Sequence, residues 1–188
     1  MSRAYRIQLS ESLQRHLKVE DGFKAGLDIL DVLPRENMAA LLREELARRG
    51  FEETEDGIMV RIEEDGTEVS VNPADFTATV RRAAEEDLNI RRDGIERSYT
   101  PNDADATERL RKRLQSELET GAEERRQELQ TEVTDALEQR LIDLRPELDA
   151  VSHTVVATAL KQKAASLGEI REIDEDVDAG TLTIRIEV

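Results

Sequence analysis

Metal chemistry in this chain has to come mainly from carboxylates and two histidines, because its 188 residues include no cysteine. Without thiols there is no disulfide, no thiolate metal site and no cysteine nucleophile. His16 and His153 are far apart in sequence, and neither has a Glu or His at ligand spacing beside it. His16 reads as a strand-surface residue and His153 as one facing a helix interface. Asp174, Asp176 and Asp178, followed by Gly180, are the weak metal candidates, since alternate acids before a glycine are the pattern of a calcium loop. The match fails in detail. The glycine comes one position late, and Arg185 stands where the bidentate glutamate belongs. A cluster of acids at a hairpin turn reads more simply as a solvated loop, so no cofactor is expected. Glu63-Glu64 and Glu85-Glu86 pair carboxylates, but no pocket can be inferred around them. Phosphate-cradling glycine motifs and a nucleophile elbow are missing too.

The elements that would position any site are organised around residues 103–168, a long charged stretch almost free of helix breakers. Its apolar residues step by four through Leu110, Leu114, Leu118 and Ala122, then Leu129, Val133, Leu137 and Leu141. A four-residue step drifts slowly around a 3.6-residue helix, so this seam is not a strict heptad. From Leu137 the steps become four-three, through Leu141, Leu144, Leu148, Val151 and Val155, which fits a left-handed coiled-coil seam. Asp103 or Asp105 suits the helix start. Gly121 costs roughly 1 kcal/mol relative to alanine in a helix interior. Pro146 removes a backbone donor, which predicts a kink or break near residues 142–145 and a second helix over 146–167, capped by Gly168. A lone helix cannot bury such a seam on itself. Either a second copy or another protein covers it, or it folds back on the terminal blocks of its own chain. The first reading makes Leu110, Leu114, Leu118, Leu129, Val133, Leu137, Leu141, Leu144 and Leu148 a partner or oligomer interface.

The net charge of −16 argues against nucleic-acid binding, which needs a basic surface. It is also compatible with salt adaptation or DNA mimicry. No apolar run is long enough to span a bilayer, and Met1 to Leu9 is too short and polar for a signal peptide, so a cytoplasmic protein is expected.

Before the long stretch, alternation in residues 4–9 and more weakly in 13–19 predicts strands, with a turn at Glu20-Asp21-Gly22 and another strand over 24–30. Pro34 opens a helix whose stripe is Met38, Leu41, Leu42 and Leu46. Gly50 ends it, with Phe51 placed for a Schellman contact. Strands follow over 58–63, 67–71 and 76–80, punctuated by Asp56-Gly57, Asp65-Gly66 and Asn72-Pro73. Residues 87–102 read as a linker because of Gly94, Pro101 and scattered charge. Residues 151–167 are rich in small and β-branched side chains and should form the most buried helix. A hairpin of residues 170–173 and 182–188 closes the chain. The layout is α+β: N- and C-terminal β-rich blocks joined by a long, coiled-coil-like arm kinked near Pro146. Its parts are residues 1–86, a linker at 87–102, the helix of 103–145, and a helix plus hairpin over 146–188.

Several segments taken together resemble a known family. They are Ser2-Arg3-Ala4-Tyr5-Arg6-Ile7, Leu27-Asp28-Ile29-Leu30, Leu33-Pro34-Arg35-Glu36, Ala159-Leu160-Lys161-Gln162-Lys163-Ala164-Ala165, Leu167-Gly168-Glu169-Ile170 and Thr183-Ile184-Arg185-Ile186. They resemble a bacterial accessory-domain family of the FtsH ternary systems, gene neighbourhoods built around AAA+ ATPases and linked to biological conflict. The resemblance spans nearly the whole chain and carries no catalytic residues. It implies association with an ATPase and other small protein partners.

The sequence therefore predicts a non-enzymatic adaptor that binds a protein partner, an AAA+ ATPase being the implied one, through its long helix and β-rich ends. A homo-oligomeric coiled-coil protein that assembles by itself is the alternative. A metal-dependent hydrolase using acidic residues is the lesser one.

Overall fold

The computed structural model describes residues 4–176 and 181–187. The elements run β1 (Tyr5–Gly26), α1 (Arg35–Arg48), β2 (Glu52–Glu53), β3 (Met59–Ile62), β4 (Glu68–Asn72), β5 (Thr77–Ser98), α2 (Ala104–Leu167), β6 (Glu169–Asp176) and β7 (Thr181–Glu187). The fold is α+β, with a five-stranded sheet in the order β1-β5-β4-β3-β2 and a separate β6-β7 pair. Two compact units emerge, each assembled from two stretches of chain: Met1–Asp21 with Ala83–Asp135, and Gly22–Arg82 with Ala136–Val188.

In the first unit a β-ribbon lies along the first half of α2. The first part of β1 and the latter part of β5 run antiparallel: Ser10 meets Arg91, His16 meets Asp87 and Lys18 meets Glu85. Odd-numbered residues of β1 face the helix, where Glu11 reaches Arg111, Arg15 reaches Glu119 and Asp21 reaches Thr134. The ten steps of strand from Glu11 to Asp21 at about 3.3 Å cover roughly 33 Å, and the 23 steps of helix from Arg111 to Thr134 at about 1.5 Å cover roughly 35 Å. Strand and helix thus advance in step. This explains the four-residue seam. Four helix residues rise about 6 Å, close to the roughly 6.6 Å between successive inward side chains of a strand. The seam drifts by roughly 40° per step, and the right-handed twist of β-strands lets the covering ribbon follow it. Leu17 and Val19 pack with Leu129 and Val133, flanked by Ala84 and Leu88.

The second unit has a conventional two-layer core. Met59, Val69, Val71, Ala78 and Val80 lie on one sheet face, as their register shows: Met59 opposite Val71, Val71 opposite Ala78, Val69 opposite Val80. Met38, Leu42 and Leu46 of α1 and Leu137, Leu144, Val151, Val155 and Ala159 of α2 cover that face. The end of α1 is a Schellman motif: Phe51 N–H donates to Leu46 O and Gly50 N–H to Ala47 O, at 3.1 Å each, with Gly50 at φ 83°. The turns at Gly57 and Gly66 carry positive φ and connect the short strands as expected.

Four expectations are corrected. Residues 87–98 are not a linker but the outer part of β5, with Leu88, Ile90 and Gly94 on the side less exposed to solvent. Glu20-Asp21-Gly22 is not a turn, since β1 passes through it. At Gly22 a side chain would start 3.1 Å from Val80 O and Arg81 Cγ, so the glycine serves close strand approach. The helix does not divide at Pro146, which lies inside α2. A proline costs one helical hydrogen bond and a local clash, and here the buried Leu144 and Val151 on either side hold the helix to its core. The boundaries at 86, 102 and 145 consequently do not separate compact bodies, because each unit draws on non-consecutive stretches.

Candidate functional site

The nine seam residues singled out as an interface face inward within the chain itself. Leu110, Leu114, Leu118, Leu129, Val133, Leu137 and Leu144 are all buried, none more than 6 % exposed. Leu141 and Leu148 are half-buried against the second unit's core. A free seam offered to another protein is therefore not what the structure shows. Each fully buried leucine contributes about 1.5–3 kcal/mol relative to exposure, and the chain's own strands and α1 already secure that gain. Asp103 caps α2: its Oδ1 accepts from Ala106 N–H at 3.0 Å and its Oδ2 from the Ser98 hydroxyl at 2.6 Å. The hydroxyl bond and then the amide bond hold the Asp103 carboxyl below its usual range.

Outside the seam, the densest polar constellation ties β3 to α2 within the second unit. Arg61 donates to both oxygens of Glu147, at 2.7 and 2.8 Å, and its Nε donates to Glu63 Oε1 at 2.7 Å. The other Glu63 oxygen accepts from Arg140 Nη2 at 2.5 Å. The hydrogen bond from Arg61 is the main reason the Glu147 carboxyl lies below its usual range, and it outweighs burial. The Arg61 guanidinium also stacks over the Phe51 ring, 4.6 Å from its centre. Beside this network lies an open hollow of about 670 Å³ lined by Glu63, Glu64, Asp65, Arg82, Arg140 and Asp143. Arg82 donates to Asp65 Oδ2 at 2.6 Å. Burial pushes the Asp65 carboxyl up, but its bonds from Thr67 and the charge of Arg82 outweigh that and leave it below the ordinary value. Both arginines of the hollow are thus engaged by its own carboxylates. The paired acid Glu63 has each oxygen occupied by a guanidinium, which leaves it no lone partner to act on. A second, shallower hollow in the first unit is lined by Arg15, Glu119, Glu123 and Glu124 among others.

His16 lies on the exposed side of the ribbon, as expected of a strand-surface residue, with Nδ1 2.8 Å from Asp87 and Nε2 3.7 Å from Glu85. Lys18 shares Glu85 at 2.8 Å. The hydrogen bond from Lys18 holds the Glu85 carboxyl below its usual range. His153 does not face a helix interface. It is exposed, because Val151, Ser152 and Val155 take the buried side of α2 and residue 153 points about 200° away from 151 and 155. Of the weak metal candidates, Asp174 is exposed on β6, while Asp178 and the side chain of Asp176 lie outside the described residues. No group of three or more His, Asp or Glu able to hold a metal occurs among the described residues. No described helix is long and apolar enough to cross a membrane.

Sequence reasoning missed Arg61, Arg140, Glu147 and Arg125. The signal for the last lay in the spacing of Glu128 and Glu132 after Arg125. Arg125 donates to both, at 3.1 Å each, and bonds Glu86 of β5 at 2.7 Å.

What these elements define is an α+β protein in which one long helix is sealed by strands of its own chain. The family model for the FtsH ternary system domain X5 matches residues 1–188. The chain belongs to that family, an accessory domain of a multi-component FtsH ternary system, which implies protein partners. No curated protein and no solved structure matches the chain.

Proposed function

We propose that this protein is a non-enzymatic adaptor of an FtsH ternary system that docks on a protein partner, the system's AAA+ ATPase. The carrying observation is the family match along the whole chain. The charge of −16 supports a protein rather than a nucleic acid as partner. Because the helical seam is occupied within the chain, docking uses outer surfaces: the exposed faces of the strands and the β-rich C-terminal end. The alternative of a self-assembling coiled coil loses its motivating feature, since its leucines are already covered.

Co-expression with the AAA+ ATPase of an FtsH ternary system, followed by affinity purification and light scattering, tests the proposal. A complex of defined mass is expected. A chain that elutes alone as a monomer, with the ATPase unretained, would remove the basis of the reading.

A further inference from the structure

The side of the β1–β5 ribbon that faces away from α2 carries no further layer. Even-numbered residues from Arg6 to Glu20 and odd-numbered ones from Ala83 to Arg97 are all exposed. Side-chain pairs fix the register along this face: Lys18 meets Glu85, His16 meets Asp87, and the Ser10 hydroxyl donates to Asp93. Continued towards the strand ends at Tyr5 and Ser98, the same register sets Gln8 opposite Ile95 and Arg6 opposite Arg97. All four therefore share the outer face.

Directly opposite residues on one face of an antiparallel pair have Cβ atoms about 4.5–5.5 Å apart, and like charges there are destabilising. Lower on the ribbon the chain neutralises such a position itself, as Lys18 does with Glu85. Near Arg6 and Arg97 the acids are already taken: Glu96 by Arg109, Glu11 by Arg111, Asp103 by Ser98, and Asp93 by Ser10 and Arg91. Neither Arg6 nor Arg97 bonds a carboxylate among the described residues. Two facing arginines without a counter-ion thus make a positive spot on a chain whose net charge is −16. A carboxylate between them bonds both guanidiniums and removes the repulsion. Ile95, 44 % exposed, lies two residues from Arg97 on the same face and offers apolar contact beside that carboxylate. The same patch on a second copy would set arginine against arginine, which opposes a two-fold contact through it. The overall negative charge opposes nucleic acid.

We infer that Arg6, Arg97 and Ile95 form a docking site for an acidic segment of the partner protein, with a carboxylate between the two guanidiniums and an apolar side chain on Ile95. This rests on the adaptor reading and names the chemistry of the segment it recognises.

The test uses the full chain and a short synthetic peptide carrying glutamate and valine two positions apart, read by fluorescence anisotropy beside a counterpart with lysine for glutamate. Net charge alone favours the lysine peptide, so binding of the glutamate peptide, weakened by added salt, reports a local site. Arg97→Ala weakens that binding about tenfold. Arg113→Ala removes an equal charge, one paired with Glu117 on α2, and leaves binding unchanged. Arg97→Glu abolishes binding yet sets a carboxylate opposite Arg6, so Tm stays equal or rises, which separates lost docking from lost fold. A glutamate peptide that does not bind, or that binds equally to Arg97→Ala and Arg97→Glu, overturns the inference. So does an oligomer in sedimentation that Arg97→Glu dissociates, because the occupant is then a second copy. A single-stranded oligonucleotide that binds and displaces the peptide overturns it too. If the ATPase co-purifies equally with wild type and Arg97→Glu, the patch is not the surface and the adaptor reading stands. If the ATPase does not co-purify at all, the adaptor reading falls, and the peptide arms still decide what the patch binds.

Discussion

Replacing Gly94 with alanine tests how closely β5 approaches α2. A Cβ at this position would lie 2.8 Å from Leu110 Cδ1 and 2.9 Å from Leu114 Cδ2. Those leucines are 0 % and 1 % exposed, so neither can swing into solvent to make room. Overpacking of this kind costs about 1–3 kcal/mol. Alanine also narrows the unfolded ensemble, which offsets about 0.4–1 kcal/mol. The net loss is about 1–2 kcal/mol, or about 2–8 °C in Tm for a chain of this length. Thermal and urea unfolding followed by circular dichroism measure it, with Gly26→Ala as a control, since nothing lies within 4 Å of a Cβ there. A double-mutant cycle sharpens the test. Leu114→Ala alone leaves a cavity and costs about 2–5 kcal/mol. Combined with Gly94→Ala, the new methyl enters vacated space, so the pair costs about 1 kcal/mol less than the sum. A neutral or stabilising Gly94→Ala, or strict additivity with Leu114→Ala, would refute the packing of this strand on this helix.

Pro146→Ala restores a backbone donor inside a continuous helix at an exposed position and should stabilise by about 1–3 kcal/mol, seen as a higher urea midpoint; destabilisation would mean that the helix needs the proline there. Glu147→Gln weakens the bidentate contact with Arg61 and should cost about 1–2 kcal/mol at neutral pH, given its partial exposure. Because the Glu147 carboxyl is held below its ordinary value, its contribution is present above that value and lost as pH falls through the folded-state one. The gap between wild type and variant in unfolding titrations should therefore close in acid, and a gap that persists there would contradict the assignment. Gly50→Ala places a Cβ at φ 83° and should lower stability by about 1–2 kcal/mol, measured by urea unfolding.

Local chemistry carried much of the fold. The helix at 35–48, its Schellman end and the glycine turns of the short strands each follow from a few neighbouring residues, and so did their prediction. The seam was equally legible as a buried stripe. Its cover was not, because periodicity shows that a face is apolar without showing what lies on it. The four-residue step did hold a clue, since it matches the two-residue repeat of a strand more closely than a heptad does. Residues 87–98 misled because, past Ile90, the inward positions include Gly94 and Glu96, the latter neutralised by Arg109 from the helix. A strand whose inward positions pass from Leu88 and Ile90 to a glycine, an acid and a serine does not keep alternating in hydrophobicity. The same holds for the candidate site. Arg61, Glu63, Arg140 and Glu147 come from segments far apart in sequence, and only tertiary contact makes them a network.

Whether the seam is sealed by the chain that carries it is tested most directly by the helical circular dichroism signal as a function of protein concentration. A seam closed within one chain predicts a helical signal and a Tm that do not change on dilution, with species of 21.3 kDa in sedimentation. Loss of helix and a falling Tm on dilution, with a multimer breaking up over the same range, would show that another copy covers those leucines.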